Sequence, residues 1–182
     1  MTNAFEILGI DPALTISDET LRTAFREGGK SAHPDAGGGD AEFARLREAF
    51  EILGSPSKRL KHWLELRGHT VETRGVVDTA LMDLFGEVGA ITQKAEAVIR
   101  KRGETKSALG LAMLEGQTQV CREEVEKALR LVEAAMEDAC AVFPEIEISE
   151  KPDLESATKT VRNLAFLEKW RAGLRSVFSR LV

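Results

Sequence analysis

Between two amphipathic stretches stands the tripeptide His33-Pro34-Asp35, followed closely by the glycine run Gly37-Gly38-Gly39. Proline disfavours helical backbone at the residue before it, and consecutive glycines favour loop, so the chain must stop and turn here. On the entering side Leu21, Ala24 and Phe25 recur at helical spacing, with Gly28 at the next inward position. On the leaving side Phe43, Leu46, Phe50 and Leu53 share one helical face. Two helices meeting at such a break form a hairpin whose tip presents an imidazole, a rigid proline and a carboxylate together.

The rest of the chain continues in helical rhythm. Residues 3–8 read as a short opening helix closed by Gly9, Ser17 as the cap of the helix entering the hairpin, and Asp40 as the cap of the one leaving it. Gly54-Ser55-Pro56 ends that helix, and a basic one opens at Lys58-Arg59 and stops near Gly68. Further on, Val77, Leu81, Leu84, Val88, Ile91, Ala95 and Val98 alternate by four and three, a heptad-like seam. Gly103 marks a break before a long helix over about 105–142, with Val125, Leu129, Val132, Met136 and Phe143 inward. A glutamate-rich connection over 144–152 leads to a final helix carrying Leu164, Leu167, Leu174, Phe178 and Leu181 inward. The expected fold is all-α: an N-terminal helical hairpin domain over 1–68, a polar hinge over 69–75 and an antiparallel three-helix bundle over 76–182.

Composition excludes several functions. The 182 residues are 43% hydrophobic and 30% charged, which places the chain among globular proteins. A net charge of −5 opposes non-specific attraction to nucleic acid, whose phosphates require a basic surface. No apolar run approaches the roughly 20 residues that span a bilayer, and residues 1–6 lack the basic and apolar regions of a signal peptide. Cys121 and Cys140 lie far apart in helical sequence, indicating neither a disulfide framework nor a metal site. No cofactor is implied, and a cytoplasmic location is the simplest expectation.

The hairpin resembles a J-domain, the module by which DnaJ-type co-chaperones engage DnaK-type ATPases. Arg22, Arg26 and Lys30 recur every four residues and line one helical face that leads to His33-Pro34-Asp35. A charged face is ordinarily just solvated; here its continuity with the tripeptide makes it a docking surface for an acidic chaperone, with Lys58 and Arg59 in an auxiliary role. The chain departs from many J-domains at Gly28-Gly29 within the helix and at Ser31-Ala32 before His33, which implies a looser hairpin tip. The segment from Arg59 to Gly68 (Arg-Leu-Lys-His-Trp-Leu-Glu-Leu-Arg-Gly), Asp78-Thr79-Ala80-Leu81-Met82, and Thr160 to Lys169 in the final helix are similar to the HscB family. That resemblance implies a co-chaperone that delivers an iron–sulfur cluster scaffold protein to a dedicated DnaK-type chaperone and stimulates its ATPase. It implies a client face on the first and last bundle helices, comprising Met82, Phe85, Glu87, Phe166 and Trp170. Independently, Phe166, Trp170 and Val177 read as an apolar stripe beside the inward one, and Met82 and Phe85 lie off their helix's seam. Gly86 and Ala90 depart from the family surface.

Two other readings fail. Gly28-Gly29-Lys30-Ser31 mimics the end of a phosphate-binding loop, but Ala24 stands where its first glycine belongs and no strand precedes it. His33 and Asp35 have no nucleophile in sequence range, so an enzyme is not expected. Two alternatives remain beside scaffold delivery: a J-protein for a different client, and an adaptor whose degenerate J-domain stimulates no ATPase.

Overall fold

The structure is a computed structural model that describes residues 2–32 and 39–182. Among the described residues helices follow one another and no strand occurs. Polar caps set most of the helix starts. Asn3 accepts the Phe5 N–H at the start of α1 (Ala4–Leu8), and Gly9, at φ 63° in the left-handed region, closes it. Ser17 Oγ accepts the Thr20 N–H at 3.0 Å ahead of α2 (Asp18–Ser31), whose first turn carries Asp18 and Glu19 against the positive helix end. The helix α3 (Asp40–Gly54) differs from expectation. Its cap is Gly39, which has no side chain to offer, and Asp40 is already the first helical residue. Ser55 caps α4 (Pro56–Leu66), where Pro56 fits the first turn because its missing N–H would have been unpaired there anyway. Asp78 caps α5 (Thr79–Glu104), and α6 (Ala108–Cys140) follows after a short connection.

The connection expected over 144–152 contains a further helix, α7 (Phe143–Ile148). Phe143, expected on the inner side of the long helix, instead opens α7 and is buried there. The last helix, α8 (Leu154–Leu181), is capped by Asp153, whose Oδ1 accepts from Glu155 and Ser156 N–H at 3.1 and 3.3 Å.

Two compact units result, and neither is one continuous stretch of chain. The first comprises residues 1–75 with 140–165, the second residues 76–139 with 166–182. The expected division into 1–68, 69–75 and 76–182 follows chain order; the contacts instead group α7 and the first part of α8 with the N-terminal residues. In the first unit α3 packs against α1, α2 and α4, and Phe5, Leu14, Leu53, Leu60, Trp63 and Leu64 are all but inaccessible. The Glu147 carboxylate of α7 accepts from the backbone N–H groups of Leu14 and Thr15. The segment expected to be a hinge is held in the same unit. Val71 is buried, and the Arg162 guanidinium donates to the carbonyls of Glu72 and Arg74 at 3.3 and 3.4 Å.

The second unit is the helical bundle. Val88, Ala95 and Val98 of α5, Cys121, Val125, Ala128, Val132 and Met136 of α6, and Leu167, Leu174, Val177 and Leu181 of α8 form one buried cluster. Cross-helix pairs fix the directions. Lys94 meets Glu124 at 2.6 Å and Arg102 meets Glu115 at 3.1 Å, so α5 and α6 run antiparallel. Arg175 meets Glu133 at 2.7 Å and Arg122 donates to the Leu181 carbonyl at 3.0 Å, so α8 runs antiparallel to α6 in turn.

Candidate functional site

The helix α2 presents Arg22, Arg26 and Lys30 to solvent along one face, as their four-residue spacing predicts. Glu27 sits among them. Lys30 Nζ donates to both Glu27 carboxylate oxygens at 2.9 Å, and Arg26 Nε lies 3.9 Å from one of them. The hydrogen bond from Lys30, with the Lys30 charge behind it, holds the Glu27 carboxyl below its usual range. The stripe is therefore partly neutralised at its C-terminal end, and Arg22 is the cation farthest along the helix from that carboxylate. His33, Pro34 and Asp35 lie outside the described residues.

The opposite face of α2 seats the hairpin. Phe25 packs in a tilted arrangement against Phe50 with ring centroids 4.7 Å apart and lies 6.1 Å from Phe43. Phe43, expected inward, is 45% exposed at the edge of this contact. The position of Gly28 has a specific cause: a Cβ there would come within 2.7 Å of Leu46 Cδ1. The space over Gly28 is filled across the hairpin by Leu46, so Gly28 marks a close approach of α2 and α3 and not a gap.

The auxiliary pair divides. Lys58 is exposed at the start of α4, where its side chain is available to a partner. Arg59 is buried, and its Nη1 donates to the Leu53 carbonyl at 2.8 Å, satisfying one of the acceptors that the end of α3 leaves open. Its expected place on a docking surface is therefore corrected: it is a structural brace. A signal existed in the sequence, because Arg59 precedes the buried Trp63 by four residues and so shares its helical face. Two further braces join it, of which Arg67, four residues after Trp63, carried the same signal and His62 did not. His62 is buried, accepts the Ala4 N–H through Nε2 at 3.0 Å and stacks on Phe5 at 5.8 Å. Burial lowers its pKa from the ordinary 6.5, Glu65 opposing. The Arg67 guanidinium carbon lies 3.3 Å from the centroid of the Trp63 ring.

In the second unit the predicted apolar residues come together as a ring cluster. Phe85 lies 5.6 Å and Phe166 6.2 Å from Trp170, centroid to centroid. Met82 stands one turn before Phe85 on α5. Met82, Phe85 and Phe166 are 55%, 52% and 39% exposed, whereas Trp170 is half-buried against the bundle core. Glu87 is exposed on the same helix as Phe85. Val177, expected to extend this stripe, is a core residue at 3% exposure; seven residues beyond Trp170, it falls on the seam of Leu167, Leu174 and Leu181. Among the described residues no three His, Cys, Asp or Glu side chains gather as metal ligands would. No helix there is long and apolar enough to cross a membrane.

Comparison with known proteins places this geometry. A family model described as the DnaJ domain matches residues 3–62. The chaperone protein DnaJ of Acetivibrio thermocellus is 39% identical over 62 residues, covering 32% of this chain and 16% of that protein. A co-chaperone protein HscB homolog of Shewanella sp. (strain ANA-3) is 33% identical over 91 residues, 44% of this chain and 52% of the relative. The chain thus spans about half the length of the HscB homolog it matches, and a far smaller share of the DnaJ protein. The solved structure of chaperone HscB from Vibrio cholerae has the same fold, with a TM-score of 0.58 at 19% identity over 100% of both chains.

Proposed function

We propose that this chain, a J-domain protein of the HscB type, binds a DnaK-type chaperone through its N-terminal hairpin, stimulates its ATPase and delivers an iron–sulfur scaffold protein held by the bundle. The observation that carries this reading is the exposed stripe of Arg22, Arg26 and Lys30, which runs along α2 inside the matched DnaJ domain toward His33-Pro34-Asp35. Cations spaced along one rigid helix steer an acidic surface into register and raise its encounter rate. Lys58 adds an exposed charge at the start of α4. The protein itself performs no bond-making step in this reading; its contribution is to bias the partner ATPase.

The client would sit on the ring cluster of Phe85, Phe166 and Trp170 with Met82, where exposed aromatics supply anchor area at low conformational cost. The substitution of family residues by Gly86 and Ala90 beside this cluster favours a second reading, a J-protein of the same mechanism with a different client. The decisive measurement is single-turnover ATP hydrolysis by the cognate DnaK-type chaperone with and without this protein. Stimulation that is lost in His33→Gln, with unchanged circular dichroism, supports the proposal; an unchanged hydrolysis rate with the wild-type protein leaves an adaptor without ATPase stimulation. Adding the iron–sulfur scaffold separates the two clients, because only the first reading has it stimulate further.

A further inference from the structure

The N-terminal part of α6 carries an apolar stripe that the bundle core does not use. The core takes Leu114, Thr118, Cys121 and Val125 from this helix. On another face Leu109, Met113, Gly116 and Val120 recur at spacings of four, three and four, the rhythm of a helix–helix seam. Leu109 and Met113 are each 74% exposed and Val120 is 48% exposed. Gly116 and Val120 also line an open groove of about 520 Å³ between α5 and α6, whose floor includes Val98 and Cys121. The unit's own packing does not require the glycine, since a Cβ at Gly116 would meet nothing within 4 Å. A mid-helix glycine with that much room over it lets another backbone approach closely.

We infer that this seam is where a second copy of the chain docks, its α6 lying antiparallel against the first about a two-fold axis between Leu114 and Glu115. The self-complementarity of the residues selects this occupant. In that register Leu109 faces Val120 of the other copy, and Met113 lies over the space left by Gly116. The exposed Lys106, just before α6, comes opposite the exposed Glu123. Two-fold symmetry repeats each of these contacts, as an isologous interface requires. Large meets small at the centre and opposite charges meet at both ends. A parallel pairing would instead set Lys106 against Lys106 and Glu123 against Glu123, which like-charge repulsion disfavours.

The test is sedimentation of the full chain across a concentration series, with variants chosen to spare the monomer. A concentration-dependent monomer–dimer equilibrium is expected for the wild type. Val120→Glu should raise the dissociation constant at least about tenfold, because the new carboxylate would be buried unpaired against Leu109 of the other copy. Gly116→Gln should do the same by blocking the approach, while an intrinsically better helix former leaves the fold at least as stable. Lys106→Glu should weaken association about two- to tenfold, the range for two partly exposed ion pairs. The double variant Lys106→Glu, Glu123→Lys should restore it. A wild type that remains monomeric throughout overturns the inference, as does a dimer indifferent to Val120→Glu and Gly116→Gln. Failure of the charge swap to rescue overturns the antiparallel register.

Discussion

The two compact units are stabilised in different ways. In the first, α1 to α4 are short, and side chains reach across to their open ends and to the loop between them: Arg59 to the Leu53 carbonyl, His62 to the Ala4 N–H, and Glu147 to the N–H groups of Leu14 and Thr15 between α1 and α2. In the second, α5 and α6 run for 26 and 33 residues, and the buried polar side chain is that of Thr118, whose hydroxyl donates to the Leu114 carbonyl of its own helix and accepts from Arg102 Nη1 of α5 at 2.9 Å. The cause is geometric. Every helix leaves about four N–H and four C=O groups without partners whatever its length, so short helices carry proportionally more unmet polar groups into a core. The hairpin unit consequently relies more on directional bonds made within its core, whereas the bundle relies more on burial along heptad-like seams, its cross-helix polar pairs lying mostly at the surface.

The largest effect should appear where burial acts alone. Leu174→Ala, at a site 1% exposed in the bundle, should destabilise that unit by about 2–5 kcal/mol in urea denaturation. A loss well under 1 kcal/mol would mean that the seam tolerates a void and that the contrast is overstated. Next comes the directional brace. Arg59→Met keeps most of the side-chain volume but leaves the Leu53 carbonyl short of a donor, at a cost of about 1–3 kcal/mol. If its melting temperature matched that of the wild type, bond direction would not hold the hairpin unit.

Phe166 tests surface against core within the bundle. Because it is 39% exposed, Phe166→Ala should leave the melting temperature nearly unchanged while weakening scaffold binding by more than about 1 kcal/mol. A large loss of stability with normal binding would move Phe166 into the core and remove the client surface.

The smallest effect is a pH dependence that should distinguish the units. Folding holds the His62 pKa below 6.5, since burial and its acceptor role both favour the neutral ring. Its contribution to stability is therefore complete above pH 6.5 and is lost as pH falls through the lowered folded value, because the unfolded chain takes up the proton first. Stability of the hairpin unit should decline across that window, and His62→Gln should remove this component. An identical decline in His62→Gln would assign the pH response to other groups.

Helix by helix, much of this architecture is legible in the sequence, because periodicity and caps are local. The seam from Leu81 to Val98, the cap at Ser17 and the stop at Gly9 depend on residues within a few positions of one another. The basic stripe of α2 and the exposed ring positions on α5 and α8 are legible for the same reason. Arg59 was misplaced because a basic side chain at the start of a helix ordinarily faces water, and only the arrival of the α3 C-terminus gives it an acceptor. Val177 was misplaced because Phe166, Trp170 and Val177 span two neighbouring stripes of a helix that is apolar on more than one side.

By itself, then, the sequence determined the longer helices, which of their faces are apolar or basic, and that the chain must reverse after α2, but not the short α7 or the cap of α3. Only the tertiary structure decided which of those faces close. It placed Leu46 in the space left by Gly28, tied residues 72 and 74 to Arg162, grouped α7 and the start of α8 with the N-terminal helices, and left the Leu109–Met113–Val120 stripe open. The physical reason is range. Helix propensity and amphipathicity are set within one or two turns, whereas the burial of a given side chain depends on an element that can be a hundred residues away.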